Sequence, residues 1–261
     1  MRTSIVGVIN MNLFGIPLVG PDTCAIKTNS TLTFDQRREM CIRWSQLGAF
    51  YPFARNHNKI GAPSQDPTAF GASAAAIIGD ALRVRYALLP YLYTLFFQAH
   101  TGGTTVARPL FFEFPQDQRA RVVERQFLWG PALLITPVLM PGAVSVDAYL
   151  PPEALWWDYF TGSLQTTLNG NVTLAAPLDK FNLHVRGGFV IATQPPHDAL
   201  TTVAARQRPF ELVVALNHTS VGFATGQVLC SPLLPLQPAL SHEICVSLPL
   251  CYGFPSLVCL H

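Results

Sequence analysis

The sequence has 261 residues, a formal net charge of +2 and an apolar fraction of 49%. Charged residues make up only 12% of it, roughly half of what soluble domains usually carry, so the chain can fill a core but has few polar residues to cover a surface. The length fits one large domain or two smaller ones. A net charge this small, with no run of lysine or arginine, argues against a phosphate-tracking surface, and we expect no nucleic-acid partner.

The N-terminal segment is apolar enough to be mistaken for a leader peptide. The chain opens with a methionine and an arginine, and residues 5–19 are mostly apolar. Asn10 and Pro17 interrupt that run, however, and no small-x-small cleavage site follows, so we expect no signal peptide here. The β-branched residues at 5–9 and 16–19 instead predict two short buried strands or strand-like turns. No window of about 20 residues is free of polar interruption, and we expect no membrane span.

Two helices are predicted in the first 100 residues. Residues 35–50 have helical apolar spacing and open with the polar pair Asp35 and Gln36. Residues 73–100 form the strongest local pattern, a helix that Pro90 is expected to kink. Its apolar stripe consists of Leu82, Tyr86, Leu89, Tyr93 and Phe97. Two glycines at 102–103 end it.

The pattern changes beyond this helix. Short apolar segments alternate with Gly, Pro, Asp and Asn at 104–113, 126–129, 132–139, 144–150, 155–159, 171–175, 181–185 and 188–193. This rhythm is typical of an all-β sandwich. We therefore expect a domain boundary near residues 103–109.

Cysteines and glycosylation sequons bear on the compartment. The six cysteines include no C-x-x-C unit, so the spacing predicts no metal site. Sequons occur at Asn29, Asn171 and Asn217. A pairing of Cys24 with Cys41 would add to the indication, from these sequons, of an oxidising, secretory environment.

Ordered sequence blocks spread over residues 15–188 resemble glycoside hydrolase family 31. They include Gly-Ile-Pro-Leu-Val-Gly-Pro-Asp-Thr-Cys at 15–24, Cys-Ile-Arg-Trp-Ser-Gln-Leu-Gly-Ala-Phe-Tyr-Pro-Phe at 41–53, Arg-Asn-His-Asn at 55–58, Arg-Tyr-Ala-Leu-Leu-Pro-Tyr-Leu-Tyr at 85–93, Thr-Val-Ala-Arg-Pro-Leu at 105–110, Phe-Leu-Trp-Gly at 127–130, Trp-Asp-Tyr at 157–159, Ala-Pro-Leu-Asp at 176–179 and His-Val-Arg-Gly-Gly at 184–188. So many blocks in the family's order are far more specific than any single motif.

The resemblance implies a multidomain α/β plus all-β fold: the C-terminal part of a (β/α)8 TIM barrel followed by β-sandwich domains. On this basis residues 1–108 are expected to be barrel, 109–187 a proximal β-sandwich and 188–227 the truncated start of a distal β domain. The implied location is the secretory pathway, either lysosomal or extracellular and lumenal. A lectin-like sandwich module would account for the β region but not for the helices before it.

The implied activity is that of a retaining α-glucosidase, which releases terminal α-linked glucose from maltose, oligosaccharides or glycogen without a cofactor. Retaining glycosidases need two carboxyl groups about 5–5.5 Å apart. The family's nucleophile motif, Trp-x-Asp-Met-Asn-Glu-like, and its acid/base Gly-Asp motif are both absent, and residues 1–21 contain no carboxylate. We therefore assign no catalytic residue and expect the isolated chain to be inactive. The alternative is a non-catalytic carbohydrate-binding or structural fragment.

Two residues match sugar-binding positions of the family. Asp22 corresponds to an aspartate at the end of a late barrel strand, and His57 to a histidine that contacts the same glucose. A carboxylate can accept from two vicinal hydroxyls, and an imidazole can donate to one. From composition alone, Asp22 could equally be a turn residue and His57 a loop residue. Arg55 and the asparagines on either side of His57 are expected to hold the loop.

The sequence departs from the family beside this site. The resemblance implies a disulfide between Cys24 and Cys41, but the interval between them is longer than usual because residues 27–35 add a loop. Where the family has Gly-Phe, with the phenylalanine lining the pocket, this chain has Ala25 and Ile26. The departure predicts a pocket wall that differs from that of the family.

Several other residues invite functional readings. Six aromatics could form a sugar-stacking platform, but we favour core packing for all of them: Tyr86, Tyr91, Tyr93, Trp129, Trp156 and Trp157. Arg108 is expected to make an ion pair or carbonyl contacts at the domain junction, and Asp158 to be a turn acid. Glu113 and His184 form no recognisable catalytic triad.

The C-terminal residues 228–261 differ from everything before them. They contain one acid, no lysine or arginine, and no clear hydrophobic period. The family pattern stops at Gly226, and Gln227 followed by Val228 is what a CAG codon running into a GT splice donor would encode. We expect this tail to be an aberrant or disordered segment without folded elements, although a cysteine-linked tail is an alternative.

Overall fold

The computed structural model describes residues 1–24, 31–218, 222–230, 240–247 and 257–260. The helices of this part are α1 (Arg2–Leu13), α2 (Phe34–Gly48), α3 (Ala72–Ala87), α4 (Leu89–Gly102), α5 (Leu110–Glu113) and α6 (Thr202–Ala205), with 3-10 turns at Pro67–Phe70 and Ala120–Val122. The strands are β1 (Asp22–Thr23), β2 (Arg55–Asn56), β3 (Ala107–Arg108), β4 (Phe127–Trp129), β5 (Leu133–Thr136), β6 (Ser145–Tyr149), β7 (Trp156–Asp158), β8 (Asn171–Ala175), β9 (Asn182–Arg186), β10 (Phe189–Thr193), β11 (Glu211–Ala215), β12 (Phe223–Cys230), β13 (Leu240–Ser247) and β14 (Leu257–Leu260).

Helix α1 occupies the place of the strand predicted at residues 5–9, so that prediction is wrong. The buried positions of the helix lie on one face: Ile5, Val8, Ile9 and Asn12. Asn12 Oδ1 accepts hydrogen bonds from the backbone N–H groups of Val106 and Ala107 at 3.1 and 3.0 Å, which ties the helix to the start of β3. Residues 16–19, predicted as a buried strand or a strand-like turn, leave the helix without forming a strand.

Helix α2 confirms the helix predicted at 35–50, and its start has a clear cause. Thr33 and Gln36 form a capping box, in which Thr33 Oγ1 accepts from the Gln36 backbone N–H at 3.3 Å and Gln36 Oε1 accepts from the Thr33 N–H at 2.9 Å. Asp35 lies in the first turn, where a negative charge favours the helix dipole. The true cap is therefore Thr33, two residues before the predicted start.

The helix predicted at 73–100 is two helices. Helix α3 ends at Ala87 and α4 begins at Leu89, with Leu88 between them at φ −86° and ψ 1°. Pro90 stands in the first turn of α4, where its missing N–H costs no helical hydrogen bond. The proline therefore breaks the helix rather than kinking it. Gly103, in the left-handed conformation at φ 68°, ends α4 as predicted.

The middle of the chain forms two layers of strands. A five-stranded sheet has the order β3-β4-β5-β9-β7, and β6 pairs with β8 in a separate antiparallel ribbon. A core of aliphatic and aromatic side chains lies between them: Leu110, Phe114, Leu128, Leu134, Tyr149, Trp156 and Leu174. Two packed sheets agree with the sandwich rhythm that the sequence predicted.

A second five-stranded sheet has the order β13-β12-β10-β11-β14. Strands β10 and β11 pair antiparallel from Phe189↔Ala215 to Thr193↔Glu211. The sequence predicted no folded element beyond residue 228. This is wrong for two described segments, because β13 pairs antiparallel with β12 and β14 pairs parallel with β11. The two edges of the sheet are thus β13 and β14, and residues 231–239, 248–256 and 261 of the predicted tail lie outside the described residues.

One core extends from the helices into the sheets. Trp129 of β4 is fully buried and donates its indole N–H to the carbonyl of Phe50, just after α2, at 2.6 Å. Arg43 of α2 is also buried, and its guanidinium donates to the carbonyls of Ala143, Ala176, Pro177 and Lys180 at 2.8–3.3 Å. These contacts fix α2, and with it the start of the candidate site, against the sandwich.

Candidate functional site

Two short parallel strands bring the predicted sugar-binding segments together. Asp22 of β1 is the register partner of Arg55 of β2, and Thr23 is the partner of Asn56. The two segments already lie side by side before these strands begin, because the Phe53 N–H donates to the Val19 carbonyl at 3.2 Å. His57 directly follows β2, two register positions beyond the Asp22↔Arg55 pair.

A close backbone approach explains the glycine at position 20. A Cβ atom at Gly20 would lie 1.8 Å from the carbonyl oxygen of Phe53, closer than any side-chain carbon can come. Only glycine therefore allows the segment before Asp22 to reach the segment before Arg55. The Gly-Ile-Pro-Leu-Val-Gly block thus owes its last residue to the geometry of the site.

Asp22 is held by Arg55. The Arg55 Nε atom donates to Asp22 Oδ1 at 2.6 Å, and Nη2 contacts the same oxygen. The Asp22 side chain is 32% exposed, and its Oδ2 accepts no hydrogen bond from another described residue. The guanidinium also lies 5.5 Å from the centre of the Phe53 ring. Arg55 thus does more than hold the loop: it occupies one oxygen of the Asp22 carboxylate and leaves the other without a hydrogen bond among the described residues.

Gln65 braces the loop that contains His57, and sequence reasoning missed it. Its side chain is buried, and Nε2 donates to Asn56 Oδ1 and to the His57 carbonyl, both at 2.7 Å. Asn56 Nδ2 in turn donates to the Gln65 carbonyl at 2.9 Å. Asn58 closes the loop by donating to the Pro63 carbonyl at 2.7 Å. The predicted loop-holding role of the two asparagines is therefore confirmed.

The His57 side chain is exposed, and no described residue makes a hydrogen bond to its ring. Its backbone is held near Asp22 through Gln65 and the β1–β2 pair, but the two side chains do not contact each other. The arrangement offers a fixed carboxylate and an uncommitted imidazole, two groups able to bind vicinal hydroxyls. Asp22 is the one carboxylate on these two strands.

Asp66, the first acidic residue after His57, has a structural role. Its Oδ1 accepts from the backbone N–H and the hydroxyl of Thr68, at 2.9 and 2.5 Å, at the start of the 3-10 turn. These hydrogen bonds lower the pKa of Asp66 below its ordinary value. Throughout the described ranges, no three His, Cys, Asp or Glu side chains form a group that could hold a metal ion.

The Cys24–Cys41 disulfide is present, as the family resemblance implied, with the Cα atoms 4.5 Å apart. It joins the end of β1 to α2 and so supports the Asp22 strand from the side opposite β2. Ala25, Ile26 and Asn29 lie outside the described residues. Of the other two sequons, Asn171 begins β8 with an exposed side chain, and Asn217 is exposed while its Oδ1 accepts from the Phe223 N–H at 3.0 Å.

The predicted core role holds for four of the six aromatic residues. Trp129, Trp156, Trp157 and Tyr91 are buried. It is wrong for Tyr86 and Tyr93, whose exposed fractions are 44% and 50%. The break at Leu88 is the reason, because the predicted stripe assumed one continuous helix and the two tyrosines lie on different helices.

Glu113 belongs to a partly buried ion cluster. Its two oxygens accept from Arg108 at 2.7 Å and from Arg186 at 2.8 Å. Arg108 also donates to the Thr105 carbonyl at 2.6 Å, so its predicted contacts at the junction are confirmed. Asp158 is the turn acid that was expected, since its Oδ1 accepts from the N–H groups of Phe160 and Thr161 at 2.9 and 2.8 Å.

His184 is fully buried on β9 and has no hydrogen bond to either ring nitrogen. Its register partners are Leu134 on β5 and Asp158 on β7. Burial lowers the pKa of this imidazole to about 4, against a smaller opposing effect of Asp158. His184 therefore joins no triad and is a neutral core residue at pH 7.

Comparison with known families decides the relationship. Residues 1–95 match the family model described as the glycosyl hydrolases family 31 TIM-barrel domain, and residues 103–191 match that of the family 31 C-terminal domain. The chain belongs to glycoside hydrolase family 31. This is a family of glycosidases, as the sequence blocks had predicted. Of the barrel domain, the described part contributes helices and the β1–β2 pair.

Curated relatives of this family 31 chain are long intestinal and lysosomal enzymes. The chain is 49% identical over 226 residues to rabbit (Oryctolagus cuniculus) intestinal sucrase-isomaltase, a match that covers 85% of this chain and 12% of that protein. It is 45% identical over 243 residues to the lysosomal alpha-glucosidase of Rattus norvegicus, covering 86% of this chain and 24% of the relative. The chain thus spans a quarter or less of the relatives it matches.

Solved structures agree. The glucosidase II alpha subunit bound to alpha3-Glc2 aligns with a TM-score of 0.79 and 33% identity, over 88% of this chain and 24% of that one. The GH31 dextranase of Flavobacterium johnsoniae complexed with glucose aligns with a TM-score of 0.74 and 28% identity, over 87% of this chain and 27% of the other. Separately, none of the helices in the described residues is long and apolar enough to cross a membrane.

Proposed function

We propose that this chain corresponds to the late part of the catalytic barrel and the following β domains of a retaining α-glucosidase. In that enzyme, Asp22 and His57 would bind the terminal glucose of maltose, oligosaccharides or glycogen. The observation that carries the proposal is the parallel β1–β2 pair, which sets Asp22 opposite Arg55 and two residues from the register position of His57. The family's glycosidase relatives support the substrate class.

The proposed roles of Asp22 and His57 in binding the sugar follow from their charge and hydrogen-bonding groups. Asp22 would accept from two hydroxyls through the oxygen that Arg55 leaves open, and His57 would donate to a third group of the same sugar. The nucleophile and the acid/base would come from barrel strands that this sequence does not contain. The chain on its own is therefore proposed to bind sugar weakly and not to hydrolyse it.

Exposed apolar residues support the idea that further barrel segments pack here. Phe14, Ile16 and Leu18, which lie between α1 and β1, are 74%, 52% and 62% exposed. Three large apolar side chains in so short a stretch are typical of a surface that another part of a protein covers. The match covers only 24% of the rat lysosomal relative, so most of that protein lies outside it and would be available to cover such a surface. A location in the secretory pathway fits the disulfide and the three sequons.

A second candidate function is a non-catalytic carbohydrate-binding or structural fragment. The lack of a second carboxylate on β1 and β2 favours it for the isolated chain. The two functions differ in one assay, which measures glucose release from maltose by the purified chain. We expect no turnover above the buffer blank. Turnover that disappears in an Asp22→Asn variant would show that the chain is an enzyme by itself and would overturn the proposed division of labour.

A further inference from the structure

A cavity of about 650 Å3 lies on the chain outside the Asp22–His57 site. Most of its walls come from the break between α3 and α4 and from the segment 194–210 that contains α6, and Pro52 and Leu229 also line it. This volume is within the range of small-molecule sites, which is roughly 300–1,000 Å3. Nothing in the site already described uses this cavity.

Part of the cavity lining consists of exposed aromatic rings that are not packed in the core. Tyr86 and Tyr93 are about half exposed, and Phe210 is 38% exposed. Neither tyrosine hydroxyl makes a hydrogen bond to another described residue. Tyr91, in the same stretch, is different: it is buried, and its hydroxyl donates to the Trp129 carbonyl at 2.8 Å. The two exposed tyrosines therefore present both a ring face and a free hydroxyl to the cavity.

The charges at the cavity favour a neutral ligand. None of the described residues that line it is an aspartate or glutamate. The guanidinium of Arg85 is committed to the backbone, because it donates to the carbonyls of Ala49, Tyr51 and Pro52 at 2.6–2.9 Å. Arg206 also lines the cavity and has a partner of its own. The hydroxyl of Thr202 adds a polar group without charge, whereas the amide nitrogen of Gln194 already donates to the carbonyls of Arg206 and Arg208. The described lining thus has no acid to neutralise a cationic ligand, and both of its arginines have other partners.

Aromatic rings with neutral hydrogen-bonding groups suit a polyhydroxylated ring. The C–H face of a sugar packs against an aromatic ring, while hydroxyl and amide groups bind its edge. We propose that this cavity is a second, non-catalytic binding site for a short α-glucan, held by Tyr86, Tyr93 and Phe210. The choice of an α-glucan rests on the proposed function of the Asp22–His57 site.

The cavity adjoins the segment that leads to the first site. Pro52 lines it, and three residues later Arg55 contacts Asp22. Arg85 fixes this segment by binding the carbonyls of Tyr51 and Pro52, so the spacing between the two sites is set by the fold. A glucan bound at the cavity would raise the local concentration of sugar near the first site.

The test uses the full chain and maltoheptaose as the probe, with binding followed by calorimetry. We expect Tyr86→Ala and Tyr93→Ala each to weaken binding about tenfold, the loss of one stacking contact. Tyr93→Phe, which keeps the ring, should lose much less. Phe112→Ala serves as the matched control, since Phe112 is an exposed aromatic at 45% and does not line the cavity. Unfolding midpoints of the variants show that each is folded.

The Asp22→Asn variant distinguishes maltoheptaose binding at the cavity from binding at the Asp22–His57 site. If the cavity binds glucan independently, Asp22→Asn leaves the maltoheptaose affinity largely intact while the tyrosine variants still reduce it. That result holds even if the proposed sugar role of Asp22 is wrong. The inference is overturned if wild-type chain binds no maltoheptaose, if a β-linked glucan of equal length binds equally well, or if binding survives both tyrosine substitutions.

Discussion

Asp22 and Arg55 stand opposite each other across two parallel strands, with Arg55 Nε 2.6 Å from Asp22 Oδ1. The pair is substantially exposed, so its contribution to folding stability is about 0–1 kcal/mol after solvent screening. Its importance is geometric: Arg55 fixes the rotamer of the carboxylate and leaves Oδ2 open. A site that must present an acceptor to a sugar gains orientation from such a pair rather than affinity.

The approach of residues 20 and 53 gives a first prediction. Gly20→Ala places a methyl group 1.8 Å from the Phe53 carbonyl oxygen, so the β1–β2 pair must separate. We expect a loss of about 2 kcal/mol or more, as for other over-packed sites. Gly7→Ala is the matched control, because nothing lies within 4 Å of its added carbon in α1, and it should stabilise by about 1 kcal/mol. Urea unfolding measures both, and equal effects would contradict the packing described here.

Gln65 provides a second prediction. Gln65→Ala removes the donor to Asn56 and His57 inside a buried site, which should cost about 1–3 kcal/mol of unfolding free energy. Gln116→Ala, at an exposed position, is the control and should change stability by less than about 0.5 kcal/mol. Hydrogen exchange should also become faster in residues 55–66. Unchanged exchange in that loop would mean that Gln65 does not brace it.

Acid should destabilise the sandwich through His184. Its folded-state pKa of about 4 lies below the ordinary 6.5, so the stability from the neutral ring is fully present above pH 6.5 and is lost as the pH falls toward 4. The expected loss between pH 7.5 and pH 5 is about 2 kcal/mol. In His184→Leu, which cannot be protonated, the unfolding free energy should depend less on pH over this interval. An identical pH dependence in the two proteins would show that other groups cause the acid effect.

Sequence patterns predicted the parts of this fold that are set locally. The α2 helix and the alternating segments of the sandwich were predicted from their hydrophobic periodicity. The site segments and the disulfide were predicted from the family blocks between residues 15 and 58. Helix α1 was missed because isoleucine and valine favour strands by type, whereas Ile5, Val8 and Ile9 are spaced for one helix face. Composition outweighed period in that prediction.

Other features depend on distant neighbours that no local pattern reveals. Gln65 becomes a brace only because Thr23, Asn56 and His57 surround it. Tyr86 and Tyr93 are exposed because the helix breaks at Leu88, just before Pro90, so the two tyrosines lie on different helices and not on one continuous stripe. Strands β13 and β14 were not predicted because their pairing with β12 and β11 supplies the order that their own sequence lacks.

The most direct test of the central claim places this chain in a complete enzyme. A chimera in which it replaces the matching segment of rat lysosomal alpha-glucosidase would contain both catalytic carboxylates together with Asp22 and His57. The inhibition constant of a glucose-mimicking imino sugar is then measured for the chimera and its variants, with the exposed His100→Ala as control. We predict that Asp22→Asn and His57→Ala both raise this inhibition constant. For His57→Ala the expected loss of binding free energy is about 1–3 kcal/mol, which raises the constant roughly 5- to 150-fold. His100→Ala should leave the constant unchanged. Inhibition constants unaltered in both site variants would contradict the assignment of Asp22 and His57 to one sugar pocket.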